Sequence, residues 1–409
     1  KAKDIPVRGM LIDDGWSEAD YYNQELIDFD GAPEKFPGGL KDTVRKVRDI
    51  MGQEMNIGVW HASMGYWNGI KAGSPAELKM QDSIVHMTDG RITPSPEIGK
   101  GFAFWDRWHA YLKKQDISFA KVDGQSANAL FNRGSLSYGE SSHNFHHNLE
   151  GSAAIHFDGN LINCMGLAPQ DVWHRPNALI TRSGDDFVPS PDKNNSFMEL
   201  IKQNAYTSLW LGQLDWCDWD MFWTDHEEAK RNAVLHTVSG GPLYFSDPVG
   251  QTDRTYIDAL CLSDGDILRA QNPGLPSIDC LTKDPLEEGY MKVFSQNKDG
   301  SVIVSAFAFR ADQSIPLNIE DFGLEGPYVA YDHYSQKTFD LPASLELESG
   351  DCTVITLMPK EQEIFSWGLK KKYNCRKTVL YEVYEKNAYR FSIVEAGPIA
   401  VYTETEPQS

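Results

Sequence analysis

Cysteine is scarce in this sequence. The 409 residues include six: Cys164, Cys217, Cys261, Cys280, Cys352 and Cys375. So few, so widely spread, cannot form a disulfide scaffold. No Cys-x-x-Cys pair occurs, which removes the usual framework of a structural zinc site. Long apolar runs are lacking too. None approaches the roughly 18 residues of a membrane-spanning helix. Basic residues are in deficit, 38 Lys and Arg against 59 Asp and Glu, for a net charge of −21. Such a surface repels phosphate backbones and anionic lipid, which argues against nucleic acid or a membrane as partner. Solenoid repeats and low-complexity tracts are absent.

Short apolar runs are what the sequence does have, each ending in polar residues. They are Gly9–Asp14, Ile57–Trp60, Phe119–Asp123, Leu161–Met165, Ala178–Ser183, Leu209–Trp216 and Pro242–Asp247. Segments with helical spacing, such as Leu40–Met55 and Phe102–Lys114, lie between them. Strands alternating with helices indicate a parallel sheet with helical crossovers. Over some 240 residues the series suits a (β/α)8 barrel, which needs about 250. From about residue 285 the texture changes. Met291–Phe309, Tyr328–Phe339, Leu345–Met358 and Lys377–Tyr402 are rich in β-branched and aromatic residues. Turn signals separate them, as expected of an antiparallel β-domain. The length exceeds what one core organises. We therefore expect a catalytic barrel over 1–275 and a β-sandwich over 276–409, with a turn near Asn272-Pro273-Gly274 between them.

In such barrels chemistry sits at the C-terminal strand ends. Those ends here carry Asp13-Asp14, Trp60-His61, Asp123 and, past Arg182, Asp185-Asp186. Asp215 to Asp220 and Asp247 end the last two runs. Carboxylates take sugar hydroxyls, and aromatic rings cover the apolar sugar face. Trp16, Trp60, Trp67, Trp216 and Trp219 supply the rings. Glycosidic cleavage needs two carboxyl groups, one to attack and one to protonate the leaving oxygen. Asp123 suits attack, because Lys121 shares its strand face and keeps it ionised. Asp185 and Asp186 suit the acid, since adjacent carboxyls repel and one then tends to hold a proton. A plainer role for that pair is capping the next helix. His143, His146, His147 and His156 lack the glutamate-containing zinc motif, so no metal is expected. Asn194-Asn195-Ser196 is a glycosylation sequon, a triplet that chance often produces.

Six words occur together and in order. They are Ile12-Asp13-Asp14-Gly15-Trp16, Val59-Trp60-His61-Ala62 with Gly65-Tyr66-Trp67, Lys121-Val122-Asp123, Ser183-Gly184-Asp185-Asp186-Phe187, Asp218-Trp219-Asp220-Met221-Phe222 and Ser239-Gly240-Gly241-Pro242. In this the chain resembles the raffinose synthase and seed imbibition branch of glycoside hydrolase family 36. The resemblance implies a (β/α)8 barrel, retaining chemistry on α-galactosides, and no metal or other cofactor. It implies Asp123 as nucleophile and Asp185 as acid/base. An arginine four residues before the acid, the pattern of related α-galactosidases, would instead select Asp186 through Arg182. Asp13, Asp14, Lys121 and Arg182 carry over as sugar-hydroxyl contacts, with Trp16 beside them and Trp60 as a pocket wall. Gly184 stands where the branch more often has serine.

The branch places Asp-Asp-Gly-Trp at its second barrel strand. A first strand and a β-domain are therefore expected upstream of Lys1, on the same polypeptide. The expected activity is retaining hydrolysis of raffinose-type α-galactosides by two aspartates. Galactosyl transfer and α-N-acetylgalactosaminide hydrolysis are the alternatives on the same fold. A sugar-binding barrel without catalysis would not need both carboxylate sites. The expected partner is an oligosaccharide substrate.

Overall fold

The computed structural model describes residues 4–188, 197–310, 313–386 and 388–404. The Asn194 sequon lies outside them. The chain divides into two compact units, Lys1–Arg182 and Ser183–Ser409.

The first unit is built on five parallel strands that pair in chain order: β1 (Gly9–Ile12), β2 (Asn56–Ala62), β3 (Phe119–Asp123), β4 (Leu161–Asn163) and β5 (Ile180–Arg182). Helices α1 (Gly39–Met51), α2 (Lys100–Lys114) and α3 (Tyr138–Phe157) make the first three crossovers. Strand β2 is buried from Ile57 to Ala62, as a parallel strand covered on both faces must be. In α2, Phe104, Trp105, Trp108, His109 and Leu112 recur at helical spacing and are all buried. Lys113 and Lys114 fill its last turn, where positive charge opposes the helix dipole favourably. A capping box of Ser137 and Glu140 starts α3, and Asp158, at φ 54°, ends it.

The pleat divides the Trp60-His61 word. Side chains alternate along a strand, so the two residues leave on opposite faces. His61 enters an aromatic layer from α2. Its ring centroid lies 4.4 Å from that of Trp108 and 5.6 Å from that of Trp105. His61 and His109 face each other through Nε2 atoms 3.4 Å apart, and Ser152 Oγ lies 2.8 Å from His109 Nδ1.

In the second unit, helix α4 (Phe197–Thr207) precedes strand β6 (Trp216–Asp218). An antiparallel sheet follows, in the order Leu275–Pro276, Tyr290–Gln296, Val302–Ala308, Cys352–Pro359, Tyr328–Asp332 and Thr338–Asp340. Three two-stranded pairs accompany it: Gln313–Leu317 with Ala343–Leu347, Ile364–Leu369 with Ile399–Thr403, and Val379–Glu385 with Ala388–Ile393. Each β-rich stretch expected after residue 285 holds strands.

Two expected strands need correction. Leu209–Trp216 is mostly turn and 3-10 helix, Leu211–Gln213, and the strand begins only at Trp216. Its Leu209, Trp210 and Leu214 are largely exposed, so the run was not a core strand. Pro242–Asp247 makes no strand among the described residues; it reduces to a bridge between Phe222 and Phe245. Pro242 has no N–H to give a ladder.

Folding buries His61 and His109 as neutral rings. Burial depresses His61 to about 3. Burial, then the fields of His61 and His156, holds His109 well below the usual histidine range. In the unfolded chain both titrate near about 6.5. The stability gained by keeping them neutral is therefore complete above about pH 6.5 and is lost as pH falls towards 3. Each ring can contribute up to about 1.4 kcal/mol per pH unit in that window. Urea unfolding across the window should show His61→Phe losing stability less steeply than the parent chain. Equal slopes would mean that His61 takes up its proton within the fold.

Candidate active site

The first unit gathers its polar side chains around Asp123, at the end of β3. Register places Trp60 beside Lys121 and Ala62 beside Asp123. Asp123 is buried, at 8% exposure, and both its oxygens are held. Trp60 Nε1 donates to Oδ2 at 3.0 Å, and the Gly124 amide donates to Oδ1 at 2.7 Å. Gly124 adopts φ 68°, a left-handed turn that turns its amide back on the carboxylate. The Ser63 amide takes the Asp123 carbonyl at 2.8 Å, so the strand end is fixed at both levels.

Lys121 lies two residues back on the same face. Its Nζ donates to Asp13 Oδ2 at 3.1 Å. Burial opposes its charge, but the neighbouring Cys164 and Asp13 outweigh that opposition and hold the ammonium above the usual lysine range. Asp14 is fixed separately. Tyr66 Oη donates to Oδ1 at 2.9 Å and Trp67 Nε1 to Oδ2 at 3.1 Å. Burial, then the Asp14 carboxylate, pushes the Tyr66 phenol above its usual range. The Trp60 ring packs against Tyr66 and Trp67, with centroids 6.0 and 5.2 Å away. Asp13, Asp14, Trp60, Lys121 and Asp123 thus form one hydrogen-bonded and stacked cluster. Arg182, at the end of β5, is buried. Trp16 is 2% exposed, as is Trp60, and its indole N–H goes to the Trp60 carbonyl.

The second unit carries Asp185 and Asp186, both exposed. Phe187 and Val188 are not helical, so the pair caps no helix. Asp185 is instead clamped by Gln203 of α4. The Asp185 amide donates to Gln203 Oε1 at 2.8 Å, and Gln203 Nε2 donates to Asp185 Oδ2 at 3.2 Å. The next residue along is pinned too, since the Phe187 amide donates to Asp220 Oδ2 at 2.5 Å. Asp218 and Asp220 are buried, and Tyr244 Oη lies 2.9 and 3.0 Å from the two oxygens of Asp218. Trp219 is fully buried, leaving Trp216, at 38%, as the exposed ring of that stretch.

Sequence reasoning missed Gln203 and Tyr244. Gln203 lies 18 residues beyond Asp185 on a helix, and no local pattern ties the two together. The histidine run resolves into ordinary roles. His146 is buried between Glu150 and Asp171 at 3.4 and 3.3 Å, His156 pairs with Asp106, and His143 stacks on His147.

A family described as raffinose synthase or seed imbibition protein Sip1 matches residues 22–311. The chain belongs to the raffinose synthase family. This family member is 30% identical over 334 residues to a probable galactinol–sucrose galactosyltransferase of Arabidopsis thaliana, covering 73% of the chain and 44% of that protein. It is 30% identical over 351 residues to galactinol–sucrose galactosyltransferase of Pisum sativum, covering 72% and 44%. Stachyose synthase of Pisum sativum is also 30% identical, over 298 residues, covering 65% and 34%. The chain spans less than half the length of these relatives. Among solved structures it is similar to a β-L-arabinopyranosidase from Geobacillus stearothermophilus, with a TM-score of 0.61, 16% identity and 87% and 88% of the two chains covered. Similar too is α-galactosidase I from Mortierella vinacea, with a TM-score of 0.59, 15% identity and 88% and 89% covered. At such identity the likeness carries the fold, a (β/α)8 barrel followed by an antiparallel β-region.

Lys121 is a buried charge that its surroundings favour, since they hold the ammonium above the usual lysine range. Its partner Asp13 keeps half its side-chain surface in water, so the pair is only partly desolvated. Lys121→Met should lower unfolding free energy by roughly 1 kcal/mol at neutral pH. Urea unfolding checks this. An unchanged or raised unfolding free energy would mean that the fold does not draw on the ion pair.

Proposed function

We propose that this raffinose synthase family member acts on α-galactosides by a retaining, two-aspartate displacement and hands the galactosyl group to a sugar acceptor. The observation that carries the reading is the ordering of Asp123. Its two oxygens are held by neutral N–H donors, while the nearest lysine on its face is drawn to Asp13. Such donors orient a carboxylate without cancelling its charge, which suits a nucleophile.

In the first step Asp123 attacks the anomeric carbon and Asp185 protonates the departing oxygen. The anomeric C–O bond breaks and an ester to Asp123 forms. In the second step Asp185 takes the proton of an acceptor hydroxyl, whose oxygen displaces Asp123 with net retention. Asp13, Asp14, Lys121, Arg182 and Asp186 are assigned to the galactosyl hydroxyls, and Trp60 to the wall beside Asp123. These roles draw on a barrel assigned to 1–275, with 276–409 as a β-domain of no catalytic role.

Transfer is favoured over the simpler expectation of hydrolysis by the relatives, which are named galactosyltransferases and stachyose synthase. Release to water uses the same intermediate and differs only in what accepts the sugar. The donor class those names suggest is a galactosyl polyol, and the acceptor class is sucrose or a larger saccharide.

The full-length protein incubated with galactinol and sucrose should form a galactosylated sucrose. Asp123→Asn should lower that rate by roughly a thousandfold or more while leaving the fold intact. Product chromatography decides between the readings. Free galactose with no transfer product would return the assignment to hydrolysis. Turnover that survives Asp123→Asn would remove Asp123 as nucleophile.

A further inference from the structure

Strand β4 lies between the strands that carry Asp123 and Arg182, and it is short. Three residue pairs join it to β3 and two join it to β5. The register sets Val122, Asn163 and Thr181 side by side across the three strands. Side chains alternate along a strand, so this row faces away from Lys121, Asp123 and Arg182. One valine and two polar residues therefore lie directly behind the candidate site, and all three are buried.

The polar members of the row are tied across the strands by side chains. Gln125, in the 3-10 turn that follows Asp123, is fully buried. Its Nε2 donates to the Val122 carbonyl at 3.0 Å and to Asn163 Oδ1 at 2.8 Å. Asn163 Nδ2 carries the connection onward, donating to the Ile180 carbonyl at 3.2 Å. Two amides thus bridge β3, β4 and β5 where the backbone ladders are shortest. The Arg175 guanidinium holds the far end, donating to Thr181 Oγ1 and to the Gly166 carbonyl. Gly166 leaves room for this, since a Cβ there would lie 2.7 Å from Gln125 Oε1 and 2.6 Å from Arg175 Nη2. A buried amide is costly unless it is hydrogen-bonded. Leucine, of similar size, would fill either position without that demand, so the bonds and not the volume account for the amides.

We infer that Gln125 and Asn163 are positioning residues for galactosyl transfer: the hydrogen bond between them fixes the spacing of Asp123 and Arg182 from behind the sheet. Asp123 must meet the anomeric carbon while Arg182 holds a hydroxyl of the same sugar. A misplacement of about 1 Å between such groups costs up to about a hundredfold in rate. The inference rests on the reading above of Asp123 as nucleophile and Arg182 as a sugar contact. It does not depend on which carboxyl supplies the proton. Neither amide is placed against the sugar; both act through the strand ends.

The test follows the first turnover of the full-length protein on a dinitrophenyl α-galactoside. Dinitrophenolate leaves without a proton, so its burst reports attack by Asp123 alone. Gln125→Leu and Asn163→Leu should each lower the burst rate constant by roughly tenfold, with the substrate Kd changed less than about twofold. The double variant should be no slower than the slower single, because each substitution removes the same bond. It also leaves neither amide facing a leucine, which makes it the variant best able to fold. Circular dichroism and thermal melting identify the folded variants. An unchanged burst in folded variants would overturn the inference while leaving the two-aspartate reading intact. So would a loss confined to Kd, or losses that multiply in the double variant. Failure of all three variants to fold would make the pair a requirement of the fold alone and would also overturn it. If Asp123→Asn kept its burst, the nucleophile assignment would fall and the inference with it. Wild-type protein that releases no dinitrophenolate would remove the α-galactoside reading in the same way.

Discussion

The alternation of side chains along the parallel strands is the constraint on which the rest depends. Trp60 and His61 are consecutive, and so are Lys121 and Val122. Because the period is two, Trp60 reaches Asp123 while His61 enters the aromatic layer of α2. Lys121 and Asp123 emerge on one face, and Val122 is buried on the other. A slip of one residue would send the carboxylate among the helices and bring the histidine to the cluster. The tight packing of Trp105, Trp108 and His61 makes such a slip costly, so the core and the candidate site enforce each other.

A second regularity is chemical. Several carboxylates of the two clusters receive neutral donors: indoles and a phenol on Asp123 and Asp14, an amide on Asp185, a phenol on Asp218. Neutral donors fix geometry yet leave negative charge to meet sugar hydroxyls or a developing positive centre. Lys121 meets Asp13 as a charged donor, and both members can still turn to hydroxyl groups. Surface acidity and site acidity are therefore distinct. The first sets solubility through net charge, and the second is built by short-range hydrogen bonds.

Much of this was legible in the chain. The strands of the first unit read correctly because Ile57–Trp60 and Phe119–Asp123 are short, mostly apolar runs of strand length that end in polar residues. The reading failed where apolar residues serve the surface. Leu209–Trp216 has the composition of a buried strand but is largely exposed, and periodicity cannot separate those cases.

By itself the sequence determined the alternation of strands and helices and the antiparallel region after residue 285, because these depend on local pattern. It could not find the contact of Gln203 with Asp185 or of Trp16 with the Trp60 carbonyl. Those contacts depend on which side chain a distant helix or strand brings within hydrogen-bond reach. Only tertiary structure settles that, because a hydrogen bond is decided by tenths of an ångström and not by order along the chain.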